Sequence, residues 1–298
     1  MTLCCAILDD VGQGRRALRL RGPDARRFLQ GTVSGDLEEL SPTQAVTAAL
    51  LTVKGKLVTE LLMLHSSDTI DVLVPHAEAD AVARAFEEHI IMDDVTVERA
   101  DDLVAAIVWD DEGEPVAIEA DEIRVVRTRH PLPAILVVGP VAALRAVLAG
   151  AEAIDAAAFD RARIESATPG WGAELVPGFF PPEVGFVYAV AYDKGCYLGQ
   201  EPLARIHARG HVNRVMVRVV VEAYVATPAS LRGETRDDAG TLTTCVGEVG
   251  GAGGLAIVRR ECAVVGTLLR TSTEPSIAVR VISGPLGDDP GIRKRDGQ

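Results

Sequence analysis

The residues best suited to chemistry in this sequence lie between Asp193 and Arg214, in the run DKGCYLGQEPLARIHARGHVNR. Lys194-Gly195-Cys196-Tyr197 sets a thiol two residues from an ammonium. A neighbouring cation favours the thiolate, which is the nucleophilic and metal-binding form of cysteine. Gly195 lets backbone or ligand approach closely. Gly199-Gln200-Glu201 follows with an amide and a carboxylate, and Arg205, His207, Arg209, His211 and Arg214 add a cationic run to a chain of formal net charge −13. That local reversal of sign suits a surface that receives an anionic tail or cofactor. The same residues also admit plainer readings. A lone cysteine often packs as a small apolar side chain, and a basic run is often a solvated face. His207 and His211, four apart, would share one face of a helix as metal ligands. Gly210 interrupts them, however, and no third ligand stands near, so no metal is expected.

The elements that must position this loop follow from periodicity. The opening MTLCCAIL reads as a strand, and Ala17-Leu18-Arg19-Leu20-Arg21 alternates as a half-buried strand does. Gly22-Pro23-Asp24 starts a helix through Phe28 and Leu29 that stops at Gly31. Strands over 45–52 and 56–64 turn about Val53-Lys54-Gly55, and 69–74 adds a third. An amphipathic helix spans 77–90, with a strand after it at Val95 to Glu98. Strands at 103–109 and 135–138 flank an acidic turn at 110–114, and 140–148 and 154–164 read as helices. This alternation, with antiparallel strands, indicates an α+β fold. From Val215 onward, short apolar strands at 215–221, 247–249, 254–259 and 277–281 are broken by glycine and polar turns, the texture of a small β-barrel. The glycine-rich run from Gly247 to Gly254 reads as a mobile barrel loop, since the strand–turn–helix context of a dinucleotide fingerprint is missing.

Bulk properties exclude several function classes. With 298 residues, 48% hydrophobic and 24% charged, the chain is an ordinary globular composition with room for two or three domains. The acidic balance argues against general nucleic-acid binding, which needs a dense cationic surface. No apolar run reaches the roughly 20 residues that span a bilayer, so no membrane partner is expected. The start lacks the basic flank of a signal or transit peptide, and five scattered cysteines make no disulfide framework. The expected location is cytoplasmic.

With these residues in view, a resemblance becomes specific. KGCYLGQE followed by ARIHARGHVNR resembles the K-G-C-[FY]-x-G-Q-E motif of the YgfZ-type folate-binding proteins, relatives of the aminomethyltransferase (T-protein) of the glycine cleavage system. Gly22-Pro23-Asp24 through Phe28-Leu29-Gln30-Gly31 resembles the family's opening, and Val33-Ser34-Gly35-Asp36 falls where it has "T-x-D". Lys54-Gly55-Lys56 resembles its K-G-K/R turn, Arg163-Ile164-Glu165 its R-I-E helix, and Pro181-Pro182-Glu183 its P-x-E element. The likeness runs through nearly the whole chain.

The resemblance implies three domains around a central hole that holds a tetrahydrofolate-type cofactor, and a role in assembling or repairing iron–sulfur clusters, including those of tRNA-modifying enzymes. Residues 1–214 would form the aminomethyltransferase-like folate-binding region, as two intertwined α+β domains. Residues 215–285 would form the C-terminal β-barrel and 286–298 a flexible tail. Cys196 would be the functional thiol, with Lys194 shaping its loop. Glu183 and Gln200 would contact the pterin, Phe159 would stack on it unless it is simply a buried residue of its helix face, and Arg205 or Arg209, on charge alone, would meet the glutamyl tail. Tetrahydrofolate or a one-carbon derivative is the expected cofactor, and iron–sulfur proteins are the expected clients. Two alternatives remain at this stage. One is a folate-dependent aminomethyl or one-carbon transferase, for which Glu60, beside Thr59, would have to supply the catalytic acid; Glu60 could equally be a solvent-facing strand residue. The other is a catalytically silent binding scaffold. Asp36 is expected to serve a turn's backbone amides, and Cys4, Cys5, Cys245 and Cys262 to be structural.

Overall fold

A computed structural model describes residues 3–110, 122–248 and 251–286. The expected acidic turn at 111–114 and the tail from 287 lie outside the described residues. The chain divides into two compact units, one formed by Met1–Thr52, Val58–Phe159 and Ala189–Leu198, the other by Val53–Leu57, Asp160–Tyr188 and Gly199–Gln298. The short segment that carries Cys196 therefore belongs to the first unit, although the second flanks it in sequence.

The first unit opens with β1 (Leu3–Ile7), β2 (Arg15–Arg21), α1 (Ala25–Thr32), β3 (Val46–Leu51), β4 (Leu57–Ser66) and β5 (Thr69–Pro75). It continues through α2 (Ala79–His89), β6 (Thr96–Ala100), β7 (Val104–Asp110), β8 (Arg124–Thr128), β9 (Ala134–Gly139), α3 (Val141–Val147) and β10 (Glu152–Ala153). Two five-stranded sheets result, ordered β3-β4-β5-β2-β6 and β10-β1-β7-β9-β8. All their recorded pairings are antiparallel except β1 with β10. The first sheet is covered by α1 and α2, whose Phe28 and Phe86 meet edge to face at 5.8 Å above Leu18, Leu20, Val72 and Val74. Burying aromatic and branched side chains of this kind contributes on the order of 1.5–3 kcal/mol each. The second sheet packs Ala106, Val108, Ile135 and Val137 against Leu144 and Leu148 at α3. Within the unit, buried Asp71 pairs with Arg19 at 2.7 Å and with Arg124 at 2.7 Å, so one carboxylate ties β5 and β2 of one sheet to β8 of the other.

Helix α4 (Ala156–Ser166) carries the chain onward. In the second unit, α5 (Gln200–Arg209) precedes β11 (Arg214–Val221), β12 (Ala229–Arg232), β13 (Gly240–Glu248), β14 (Gly251–Arg259), β15 (Leu268–Thr271) and β16 (Ala278–Val281). These six strands close into a barrel in the order β11-β14-β13-β12-β15-β16, as the spacing of short strands after Val215 indicated. The loop expected from Gly247 to Gly254 is overturned. Gly247 and Glu248 end β13, Gly251 to Gly254 begin β14, and Cys245 pairs with Gly254 across the hairpin. The physical reason is close approach: a Cβ on Gly254 would stand 2.5 Å from the Thr244 carbonyl oxygen, so this crowded barrel wall needs bare backbone.

Candidate functional site

The segment Ala189–Leu198 is tied to the end of α1 and the turn after it. Ser34 Oγ donates to the Ala189 carbonyl at 2.6 Å, Ala191 N–H to the Ser34 carbonyl at 2.8 Å, and Leu198 N–H to the Gly31 carbonyl at 3.3 Å. Lys194 completes the attachment. Its Nζ donates to the carbonyls of Gln30 at 2.7 Å, Val33 at 2.7 Å and Gly35 at 2.6 Å. An ammonium has three donors, and the C-terminal end of a helix offers unpaired carbonyls and partial negative charge. Helix α1 has no basic residue in its own last turn, so the cation arrives from a residue far along the chain.

The surroundings of Lys194 are strongly polarised. Burial pushes its ammonium down to about 8, against the opposing pull of the Asp36 carboxylate. Asp36 is held below the usual carboxylate range by the Gln30 side chain at 2.7 Å, then by the Glu38 amide and Lys194. It accepts from the Glu38 N–H at 3.0 Å, the turn-capping role expected of it. Two residues past Gly195, the Tyr197 ring is buried with the Lys194 ammonium 4.8 Å from its centroid, and burial pushes its phenol up to about 12. Cys196 thus sits between two anchored neighbours, and it is exposed. Of the five cysteines it alone is exposed; Cys5 and Cys245 are buried, and Cys4 and Cys262 are half-buried. The geometry presents a thiol on a pinned loop, able to act as a nucleophile or a thiolate ligand. Lys194 is the pin.

The other expected site residues are placed as follows. Glu183, in a 3₁₀ turn over Pro181–Val184 of the second unit, is 9% exposed. Its Oε2 accepts from the Phe180 N–H at 2.8 Å and lies 3.5 Å from Lys56 Nζ, which sits 3.3 Å from the Phe180 ring centroid. The K-G-K turn and the P-P-E element therefore meet in that unit. Gln200 is half-buried at the start of α5. Arg205 points along α5 to Glu201 at 2.8 Å, and both side chains are exposed, an i,i+4 pair worth only a few tenths of a kcal/mol. His207 lies within α5 and His211 beyond its end at Gly210, so the two do not share a helix face. Phe159 is 0% exposed; its ring is core, and its placement lends no support to a stacking role. Among the described residues no group of three or more His, Cys, Asp or Glu is arranged to hold a metal ion.

Two buried clusters escaped the reading of the sequence. Glu60 is neither a solvent-facing strand residue nor an open acid. It is 2% exposed and lies between Arg15 and His130, which are themselves 4% and 2% exposed. In the second unit, Arg163 at 2% and Glu174 at 0% exposure form a buried pair at 2.9 Å. Glu174 also accepts from the Gly170 N–H at 2.9 Å and from the Thr243 and Thr244 hydroxyls at 2.6 Å each. Burial draws the Arg163 guanidinium down, but Glu174 and Asp160 outweigh it and leave the group raised. A Cβ on Gly170 would stand 2.6 Å from the guanidinium carbon, so a side chain there would displace the buried arginine from its place against Glu174. The R-I-E pattern signalled that Arg163 matters, but nothing in the sequence pointed to Glu174 as its partner.

Comparison with known proteins sets this geometry in context. The chain matches the crystal structure of glycine cleavage system aminomethyltransferase T from Bartonella henselae with a TM-score of 0.78 at 16% identity, over 97% of this chain and 87% of that one. The fold is therefore that of an aminomethyltransferase T, mixed α+β with a C-terminal barrel. In sequence the chain is 28% identical over 228 residues to the human mitochondrial iron–sulfur cluster assembly factor IBA57, covering 67% of this chain and 63% of that protein. It is 24% identical over 239 residues to the tRNA-modifying protein YgfZ of Vibrio vulnificus strain CMCP6, covering 73% and 70%. The match to the human protein thus spans less than two thirds of its length. No family model matches the chain. The chain is similar in sequence to proteins named YgfZ and IBA57. No helix among the described residues is long and apolar enough to cross a membrane.

Proposed function

We propose that this chain is a tetrahydrofolate-binding factor that supports the assembly or repair of iron–sulfur clusters, including those of tRNA-modifying enzymes, and that Cys196 is its essential thiol. The observation that carries the reading is the exposure of Cys196 alone among five cysteines, on a loop held by Lys194 and Tyr197. The names of the relatives supply the biological setting. Glu183 is a fixed, largely buried carboxylate suited to accept hydrogen bonds from a pterin, and Gln200 offers an amide; tetrahydrofolate would bring a one-carbon carrier. Lys194 acts as a positioning residue, because its donors are spent on backbone carbonyls.

The transferase alternative loses its acid. Glu60 is enclosed between two basic side chains, and a carboxylate held there is not available to a substrate amine. The proposal is tested by deleting the gene and assaying iron–sulfur enzymes, then restoring it as wild type or as Cys196→Ala. The expected result is reduced enzyme activity that wild type restores and the variant, folded by circular dichroism, does not. Full activity in the deleted strain, with and without oxidative stress, would defeat it. Calorimetry with tetrahydrofolate tests the cofactor: Glu183→Gln should weaken binding, and heat changes no different from buffer would remove folate from the reading.

A further inference from the structure

The second unit contains a cavity of about 390 Å³ that includes none of the residues assigned above to the thiol or the folate. Val176 and Phe179 line it from the loop that carries Glu174, and Pro228 and Ile257 from the barrel. Thr227, Thr241 and Thr243 add hydroxyls to the wall, so apolar and polar surface are both present. A volume of a few hundred Å³ that joins apolar walls to a set of placed polar groups is the usual form of a small-molecule site.

Its charges are unequally compensated. Arg214, at the start of β11, and Asp238, ahead of β13, both line the cavity. Asp238 is bonded to Arg259, and that bond first, then the charge of Arg259, holds its carboxyl below the ordinary value. Arg259 is the cross-strand partner of Arg214 in the barrel, and with Arg236, paired to Glu261 at 3.3 Å, three cations stand against two anions at this end. The buried carboxylate behind the wall, Glu174, is already paired with Arg163, and it accepts the Thr243 hydroxyl. Among the described residues the Arg214 side chain makes no hydrogen bond and no contact ion pair, although its charge acts on Asp238 in the same cavity wall; its guanidinium lies over the Phe179 ring, 5.9 Å from the centroid. A planar cation laid on an aromatic face keeps its edge donors free for a planar anion.

We propose that this cavity binds a small amphipathic monoanion, its carboxylate or sulfonate on the edge of Arg214 and its aromatic or branched apolar body against Phe179, Val176 and Ile257. Specificity comes from charge at one end and shape at the other. A neutral molecule of the same shape leaves Arg214 without a partner, and a compact inorganic anion leaves the apolar walls wet.

The probe is 8-anilinonaphthalene-1-sulfonate, titrated by fluorescence into the full-length folded chain. Saturable binding is expected, weakened at least about tenfold in Arg214→Gln and partly restored in Arg214→Lys. Thr241→Trp, which fills the cavity from β13, should abolish binding with Arg214 intact. Cys196→Ser should change nothing, so this result is independent of the iron–sulfur reading. Equal affinity for the neutral analogue N-phenyl-1-naphthylamine would overturn the proposal, as would binding unaltered by both Arg214→Gln and Thr241→Trp.

Discussion

Removing the Glu174 carboxylate tests how the second unit is held together. In Glu174→Ala, Arg163 stays 2% exposed and loses its partner at 2.9 Å. Breaking one side of a buried ion pair ordinarily costs about 3–5 kcal/mol, because the remaining charge is left uncompensated. Two features set the figure within that range. Asp160, 35% exposed, still contacts Arg163 at 2.7 Å, which limits the loss. Against this, the Gly170 amide and the buried Thr244 hydroxyl lose their acceptor, while Thr243 can still use the Leu255 carbonyl at 3.0 Å. The expected destabilisation is therefore about 3–4 kcal/mol, a large share of the 5–15 kcal/mol typical of a folded domain. Urea denaturation followed by tryptophan fluorescence reads it, with Trp171 reporting from the same loop as Glu174. The pair as a whole should matter far less than either half. Arg163→Met combined with Glu174→Leu is expected to recover most of the loss, since matched apolar replacement of a buried pair is often close to neutral. A loss below about 1 kcal/mol in Glu174→Ala, the value of an exposed pair, would refute the reasoning, and so would strictly additive effects in the double variant.

Two further predictions follow from the thiol loop. Native protein should titrate one fast thiol with a chromogenic disulfide and all five cysteines after denaturation, with Cys196→Ser losing the fast phase; a fast phase that survives would mean another cysteine is open. The second concerns pH. The folded Lys194 ammonium is lowered to about 8 from 10.5, so between those values the unfolded chain binds the proton that the folded chain has released. Stability from this group therefore rises with pH across that window and is flat below it. Urea midpoints measured below, within and above the window should show that rise in wild type and not in Lys194→Met; identical slopes would show that Lys194 titrates normally.

How much was legible in the sequence differs by kind of residue. The α+β character, the barrel and most strands came from periodicity, because a side chain's face is fixed by its own neighbours in the chain. The cysteine loop was also visible, since Lys194, Gly195 and Cys196 are adjacent. What Lys194 does was not. Its acceptor carbonyls lie as many as 164 residues away, and carbonyls belong to every residue, so they leave no trace in composition. Glu60 reads as one acid on a strand, and only the fold brings Arg15 and His130 to it from separate elements. The helix pattern allowed Phe159 a buried face, while the family resemblance suggested a pterin wall, and only the packing set it at 0% exposed. The sequence by itself determined the elements and the identity of the exposed thiol's loop; the tertiary structure decided which charges are spent and which face a cavity. Ion pairing and burial are long-range properties, set by atoms that local order does not bring together.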